Sequence, residues 1–185
     1  MEANRILFKI FTKTPVELES FVPVFHRFIR EQVLDELPID VADYAHVHEG
    51  PGVVLIGHAF DYYLDLRGGR LGLVYLRKRD APAPAERLRD AARRALRMAR
   101  LLEPAIEGLS FKTDEFWVSF PDRLRAADSD ENFAALKGEL DALTTALVGA
   151  PGQVERDRSA GNVLAATVAL PGNTKSVAEL LAKLE

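Results

Sequence analysis

Three side chains with complementary chemistry, Asp43, His58 and Arg79, fall on one row of a predicted antiparallel sheet. A carboxylate beside an imidazole raises the imidazole pKa, and a guanidinium lowers the carboxylate pKa, so the three groups can satisfy one another. Their row lies on a mainly apolar face, where a polar group without a partner would be costly. We predict these three as ligand-binding residues; the alternative is that they lie at a solvated end of the sheet.

A second pattern is the alternation of His46 and His48, which places both imidazoles on the same face of a strand. Such a pair can bind a divalent metal when a carboxylate supplies a third ligand. In the predicted pairing, Asp61 and Asp65 lie too far along the neighbouring strand to do so. His46 and His48 are therefore metal candidates that need a ligand from elsewhere, and ordinary surface histidines are the alternative.

The third pattern is basic: a helix predicted over residues 86–103 carries Arg93, Arg94 and Arg97 away from its apolar stripe. Such a face could bind anions or the phosphate backbone of a nucleic acid. No aromatic residues are interleaved with the arginines to stack on bases. We favour the alternative, an arginine-rich face paired with the chain's own acidic segments.

No sequence motif assigns a catalytic or cofactor chemistry. The chain lacks the GxSxG, HExxH, EF-hand and GxGxxG patterns, and it has no cysteine, which excludes disulfides and thiolate chemistry. Its formal net charge of -4 gives no general attraction to nucleic acids or anionic membranes. No secretory signal or membrane-length apolar run is present. We expect a cytoplasmic protein without a cofactor or membrane contact, and catalysis is not favoured.

The element that must position the polar row is a three-stranded meander over residues 41–79. A central strand over 53–66 is rich in β-branched and aromatic residues. Gly68-Gly69 is a two-residue turn signal, since both central residues of a type I′ turn need positive φ. It pairs Leu64 with Leu73 and, further along, His58 with Arg79. A second turn over 49–52 pairs Asp43 with His58.

The remaining chain predicts further strands and helices around this meander. A strand covers 4–12, and a helix opens at a capping box from Thr14 to Glu17 and is kinked or split into two pieces at Pro23. After the helix over 86–103 come a hairpin turning at Thr113-Asp114, a helix, two strands and a last helix capped by Ser176 and Glu179. We predict an α+β fold with helices mainly on one face of the sheet. Residues 1–105 and 106–185 form two units that share one core.

Three functions are compatible with this reading. The first is a non-catalytic binding or assembly module that self-associates or binds a protein partner. The second is a binder of a small anionic ligand, or an enzyme, that uses the polar row. The third is a nucleic-acid binder acting through the basic helix, and nucleic acid is the least favoured of these partners.

Overall fold

Within residues 3–47 and 50–185, the part of the chain that this computed structural model describes, eight strands form one antiparallel sheet beside four α-helices. In chain order the elements are β1 (Ile6–Thr12), α1 (Phe21–Glu31), β2 (Pro38–Tyr44), β3 (Gly52–Gly57), β4 (Phe60–Asp65), β5 (Gly72–Arg77), α2 (Pro84–Leu102), β6 (Phe111–Phe120), α3 (Asp130–Val148), β7 (Gln153–Arg156), β8 (Leu164–Ala169) and α4 (Val177–Leu181). Across the sheet the order is β2-β3-β4-β5-β1-β6-β8-β7. The protein therefore has the predicted α+β architecture.

The helices pack on one face of this sheet. The main core combines buried residues of all four helices with one side of the strands, such as Ile6, Phe8 and Ile10 of β1. Alternation sends Leu7 to the opposite side, where it packs in a smaller apolar group with Val74. No α-helix of the described residues contributes to that group, and we call this side the open face. No helix in the described ranges is long and apolar enough to cross a membrane.

The hairpin between β4 and β5 has the predicted register. Leu64 pairs with Leu73 and Tyr62 with Tyr75, and the turn contains Gly68 at φ 69° and Gly69 at φ 68°. L-residues rarely adopt such angles, which is why two consecutive glycines specify the bend. Apolar pairs opposite one another then fix which side chains face the helices.

The meander has four strands instead of three, because the predicted strand over 53–66 folds back on itself after Gly57. Leu55 pairs with Tyr62, and the backbone reverses through His58 and Ala59. A Cβ at Gly57 would lie 2.5 Å from the Phe60 ring, so the absence of a side chain lets that ring close over the turn. Upstream of the fold-back the register of β2 and β3 also differs from the prediction, since Asp43 lies opposite Val53 and not opposite His58.

Three further local predictions are wrong and one is confirmed. Thr14 does not cap α1: its hydroxyl donates to the Gly108 carbonyl, and α1 begins at Phe21. Pro23 therefore lies in the first turn of α1, where its missing N–H breaks no helical hydrogen bond and no kink is needed. Residues 111–120 form one strand, β6, without a hairpin at Thr113-Asp114. The capping box between Ser176 and Glu179 at the start of α4 is confirmed.

The sheet is continuous across the predicted boundary at residue 105. β1 lies between β5 and β6, and the main core contains buried residues from both sides of that boundary. The division into units 1–105 and 106–185 stays a prediction.

Candidate ligand-binding site

A buried ion pair lies at the centre of the open face. Lys9 is the charged residue within the otherwise apolar run Ile6-Leu-Phe-Lys-Ile-Phe11 of β1. Its Nζ lies 3.1 Å from Oδ2 of Asp65 at the end of β4, and each residue is only 4% exposed. Charges this deeply buried are costly unless they are paired, so the two side chains depend on each other.

Gly72 makes this pair possible. Strand β5 separates β1 from β4, and Gly72 stands between Phe11 on one side and Asp65 on the other. A Cβ on Gly72 would lie 2.6 Å from Cε of Lys9 and 2.7 Å from the carbonyl oxygen of Ile10. The lysine side chain thus crosses β5 through the space that a larger residue would fill.

Two arginines from the β4–β5 hairpin add positive charge beside the pair. Arg67 donates from its backbone N–H and from Nε to Oδ1 of Asp65, at 3.1 and 3.3 Å. The Arg70 guanidinium lies 3.8 Å from the centroid of the Phe11 ring and donates to Glu115 of β6. Burial lowers the pKa of Lys9, and Asp65 offsets this effect only in part. The site therefore concentrates cations where solvent access is low.

The pair lines a cavity of about 680 Å³ on the open face. The floor is formed by residues of β1, β6 and β8, and the walls by the β4–β5 hairpin and the segment 157–163. This volume falls in the range usual for sites that bind small organic ligands. A shallower cavity of about 500 Å³, lined by Glu17 and Glu107 among others, has no buried charged side chain in its lining.

Trp117 provides an aromatic surface in this cavity. It stands opposite Lys9 in the β1–β6 pairing. Its indole N–H donates to Oδ2 of Asp157 at 2.8 Å, which fixes the orientation of the ring. Burial alone would raise the pKa of Asp157, but hydrogen bonds from Ser159 and Trp117 hold it below its usual value. Asp157 is thus an ionised partner that positions the indole.

Donors remain for a ligand in the cavity. An ammonium group has three N–H donors, and in the part of the chain that the structure describes Asp65 is the hydrogen-bond acceptor found for Lys9. Ser119 lies on the same face, is 3% exposed and lines the same cavity. Buried donors are normally satisfied, so the remaining lysine N–H groups call for an acceptor such as a ligand or a water molecule.

The predicted row of Asp43, His58 and Arg79 does not form. Asp43 pairs with Val53, because the connection between β2 and β3 sets a different register from the predicted one, and His58 lies in the turn after Gly57 and not in a strand. Asp43, His58 and Arg79 are all exposed, and the Asp43 carboxylate accepts from the Ala45 N–H at 2.8 Å. The backbone N–H of Arg79 donates to Ala59 just beyond β5. The alternative of a solvated sheet end describes these residues better.

Of the two metal candidates, His46 is the one that the structure describes, and it does not lie in a strand. His46 lies in the turn after β2 and is exposed, and His48 lies outside the described residues. Within 3–47 and 50–185, no group of three or more histidine, aspartate or glutamate side chains is arranged to hold a metal ion.

The arginines of α2 are engaged with acidic side chains. Arg93 and Arg94 both bond to Asp90, Arg94 also bonds to Glu36 at 2.6 Å, and Arg97 lies 2.9 Å from Asp35. These carboxylates lie one helical turn earlier in α2 and in the loop after α1. Much of the positive charge predicted for the basic helix is therefore balanced within the chain.

The residues that build the cavity were not singled out by sequence reasoning. Lys9, Asp65, Trp117 and Asp157 are distant in sequence, and only the sheet order brings them together. One local signal was available: a lysine inside an apolar strand needs an acidic partner if both faces of that strand are buried.

Comparison with known proteins provides no relative: no family model, no curated protein and no solved structure matches this chain.

Proposed function

We propose that this protein binds a small organic ligand with an anionic group in the open-face cavity. The observation that carries the proposal is the buried ammonium of Lys9, which lines a cavity of about 680 Å³ and has N–H donors beyond the one given to Asp65. A negatively charged ligand group would satisfy those donors in a region of low solvent access, where charge-assisted hydrogen bonds are strong.

The surroundings of Lys9 support binding of an organic molecule over an inorganic ion. Leu7, Phe11, Trp117 and Val163 line the cavity beside the charged groups. Sites for small molecules are typically lined by apolar and aromatic side chains with a few converging polar groups. The cavity has this composition, whereas a site for a free anion needs no apolar wall.

Two fluorescent probes of similar shape test this proposal: the anion anilinonaphthalene sulfonate and the neutral N-phenylnaphthylamine. We expect the anion to bind the wild type more tightly and to quench Trp117, the single tryptophan of the chain. The variant Lys9→Met should weaken anion binding about tenfold or more, since it removes a charged hydrogen bond.

The matched control is Lys137→Met, which removes an exposed lysine paired with Asp141 on α3. Circular dichroism of both variants establishes that they fold. If the anion binds Lys9→Met and Lys137→Met equally well, the cavity is not an anion site and the proposal is wrong.

A second candidate function is self-association or binding of a protein partner through β2, an edge strand of the sheet. Four large apolar side chains around this strand, those of Leu37, Ile39, Tyr44 and Val47, are between 43% and 69% exposed. Clustered exposed apolar residues are a feature of interaction surfaces.

If this surface associates, light scattering should give a mass above that of the monomer. Ile39→Asp should restore the monomer mass, while Leu124→Asp, at an exposed leucine in another segment, should not.

A further inference from the structure

We infer that the ligand of the open-face cavity is an aromatic monocarboxylate, with its carboxylate on Lys9 and its ring against Trp117. This inference rests on the proposed function and specifies the chemical class of the ligand.

The charge count limits the ligand to one negative charge. The cavity is lined by three cations, Lys9, Arg67 and Arg70, and by two carboxylates, Asp65 and Asp157. A ligand with one negative charge would neutralise these five groups, and because Arg70 is already paired with Glu115 beside the cavity, no cation of the described lining is left for a second negative charge. A dianion such as a phosphate monoester would leave an excess negative charge near Asp65 and Asp157, which is unfavourable at low effective dielectric.

The cations are also unequally available. Arg70 donates with two nitrogens to Glu115 outside the cavity lining, and it is additionally held over the Phe11 ring. Arg67 is engaged with Asp65 through both its backbone and its side chain. Lys9 is the buried cation among the three and has N–H donors beyond the one given to Asp65, and a single carboxylate can accept them.

Trp117 is the aromatic surface that remains open to a ligand ring. The faces of Phe11 are approached by Arg70 and by Nζ of Lys9, at 3.8 and 5.2 Å from the ring centroid. Trp117 belongs to none of the stacked or edge-to-face ring pairs found among the described residues. Its hydrogen bond to Asp157 fixes the indole in place, so a flat ring can stack without the cost of ordering it.

The positions of these groups in the sheet require a ligand that spans the cavity floor. Lys9 and Trp117 are direct partners in the β1–β6 pairing, and Ser119 is the next residue of β6 on the same face. The Lys9 ammonium extends across β5 to Asp65, whereas the Trp117 indole donates to Asp157 on the opposite side. A carboxylate bound by Lys9 therefore needs an attached ring body long enough to lie over β1 and reach the indole, with the Ser119 hydroxyl as an additional donor.

The experiment compares four ligands that share one ring skeleton: naphthoate, naphthyl phosphate, neutral naphthol and the saturated decahydronaphthoate. Affinities come from calorimetry at neutral pH, where the phosphate is largely a dianion. The single indole N–H resonance of Trp117 in nitrogen-15 spectra reports binding in the cavity. We expect naphthoate to bind about tenfold more tightly than each of the others and to shift that resonance. In Lys9→Met, naphthoate should lose its advantage over naphthol.

The other outcomes separate this inference from the proposed function. Equal or tighter binding of naphthyl phosphate overturns the limit to one charge, and equal binding of decahydronaphthoate overturns the aromatic requirement; in both cases an anion site remains. If none of the three anions binds, or if they bind without shifting the Trp117 resonance, the inference and the proposed function both fail.

Discussion

The Lys9–Asp65 pair determines both the stability and the chemistry of the open face at the scale of single residues. Asparagine at position 65 would leave the Lys9 ammonium buried without a counter-ion, so we expect Asp65→Asn to lower the free energy of unfolding by about 3 kcal/mol. Lys9→Met should cost less, because Asp65 keeps its hydrogen bonds from Arg67. Urea denaturation followed by fluorescence measures both effects.

The control for this pair is an exposed one. Arg30 and Glu31 lie 3.3 Å apart with side chains that are 73% and 49% exposed, and such pairs contribute little to stability. Glu31→Gln should therefore change the free energy of unfolding by less than about 0.5 kcal/mol. If Asp65→Asn lowers the free energy of unfolding no more than Glu31→Gln does, the buried Lys9 ammonium does not need Asp65 as its counter-ion, and the prediction is wrong.

Two buried tyrosines of the main core allow a second test at this scale. The Tyr75 hydroxyl is buried and has no hydrogen-bond partner among the described residues, whereas the Tyr62 hydroxyl donates to the Arg94 carbonyl at 3.3 Å. Removing an unsatisfied hydroxyl should not destabilise the fold, so Tyr75→Phe is expected to be neutral or stabilising by up to about 1 kcal/mol. Tyr62→Phe should cost about 1 kcal/mol.

The same tyrosines predict how stability depends on pH. Burial raises the pKa of Tyr62 and of Tyr75 well above the ordinary value of 10.0. Above pH 10 the unfolded chain loses these protons while the folded chain keeps them, so stability falls as the pH rises. Denaturation at pH 7 and above pH 10 should show a smaller loss for Tyr75→Phe than for the wild type. If the wild type and Tyr75→Phe lose equal stability between the two pH values, the pKa of Tyr75 does not differ between the folded and the unfolded chain, and the prediction is wrong.

At the scale of elements, strand β5 positions the site because it contains a glycine where the lysine crosses. Alanine at position 72 would place its Cβ within 2.7 Å of both Lys9 and the Ile10 carbonyl, so strand and side chain must shift. We expect Gly72→Ala to lower the free energy of unfolding by about 2 kcal/mol. It should also weaken binding of the anionic probe, as Lys9→Met does. Gly138→Ala in α3 is the opposite case: nothing lies within 4 Å of its added Cβ, and helix propensity predicts a gain of up to about 1 kcal/mol. Tight probe binding by Gly72→Ala would show that the lysine does not depend on this gap.

Elements with strong local signals could be predicted from the sequence, and those without them could not. Gly68-Gly69 can adopt the positive φ angles of a tight turn, and the register of the β4–β5 hairpin followed from placing the turn there. The reversal after Gly57 lacks such a signal, because its centre is His58-Ala59 and the strands on either side form a continuous apolar pattern. The predicted polar row failed at two places: the reversal takes His58 out of the strand, and the connection between β2 and β3 sets a register that places Asp43 opposite Val53.

The cavity could not be predicted because its residues meet only through the order of the strands. Lys9 of β1 reaches Trp117 of β6 because the chain inserts β1 between β5 and β6, at the centre of the sheet. Local patterns specify which face a side chain occupies, but they do not specify which strands become neighbours. Knowledge of the strand order would have pointed to the site, since among the described residues Lys9 and Asp65 are the buried charged residues of the open face.

At the scale of the whole molecule, the central position of β1 predicts that residues 1–105 do not fold without residues 106–185. Removing β6 exposes the backbone edge of β1 and the Phe8 ring, which stacks on Phe116 with centroids 4.8 Å apart. It also removes α4, which packs against α2.

We expect the 1–105 fragment to show poorly dispersed nuclear magnetic resonance spectra and no cooperative thermal transition. The full chain should unfold in one transition that is identical by circular dichroism and by Trp117 fluorescence. Mixing the 1–105 and 106–185 fragments should restore dispersion if the shared core drives folding. A cooperative transition in the isolated 1–105 fragment would instead identify this fragment as an independent domain. The sheet would then be built from two separately folding domains.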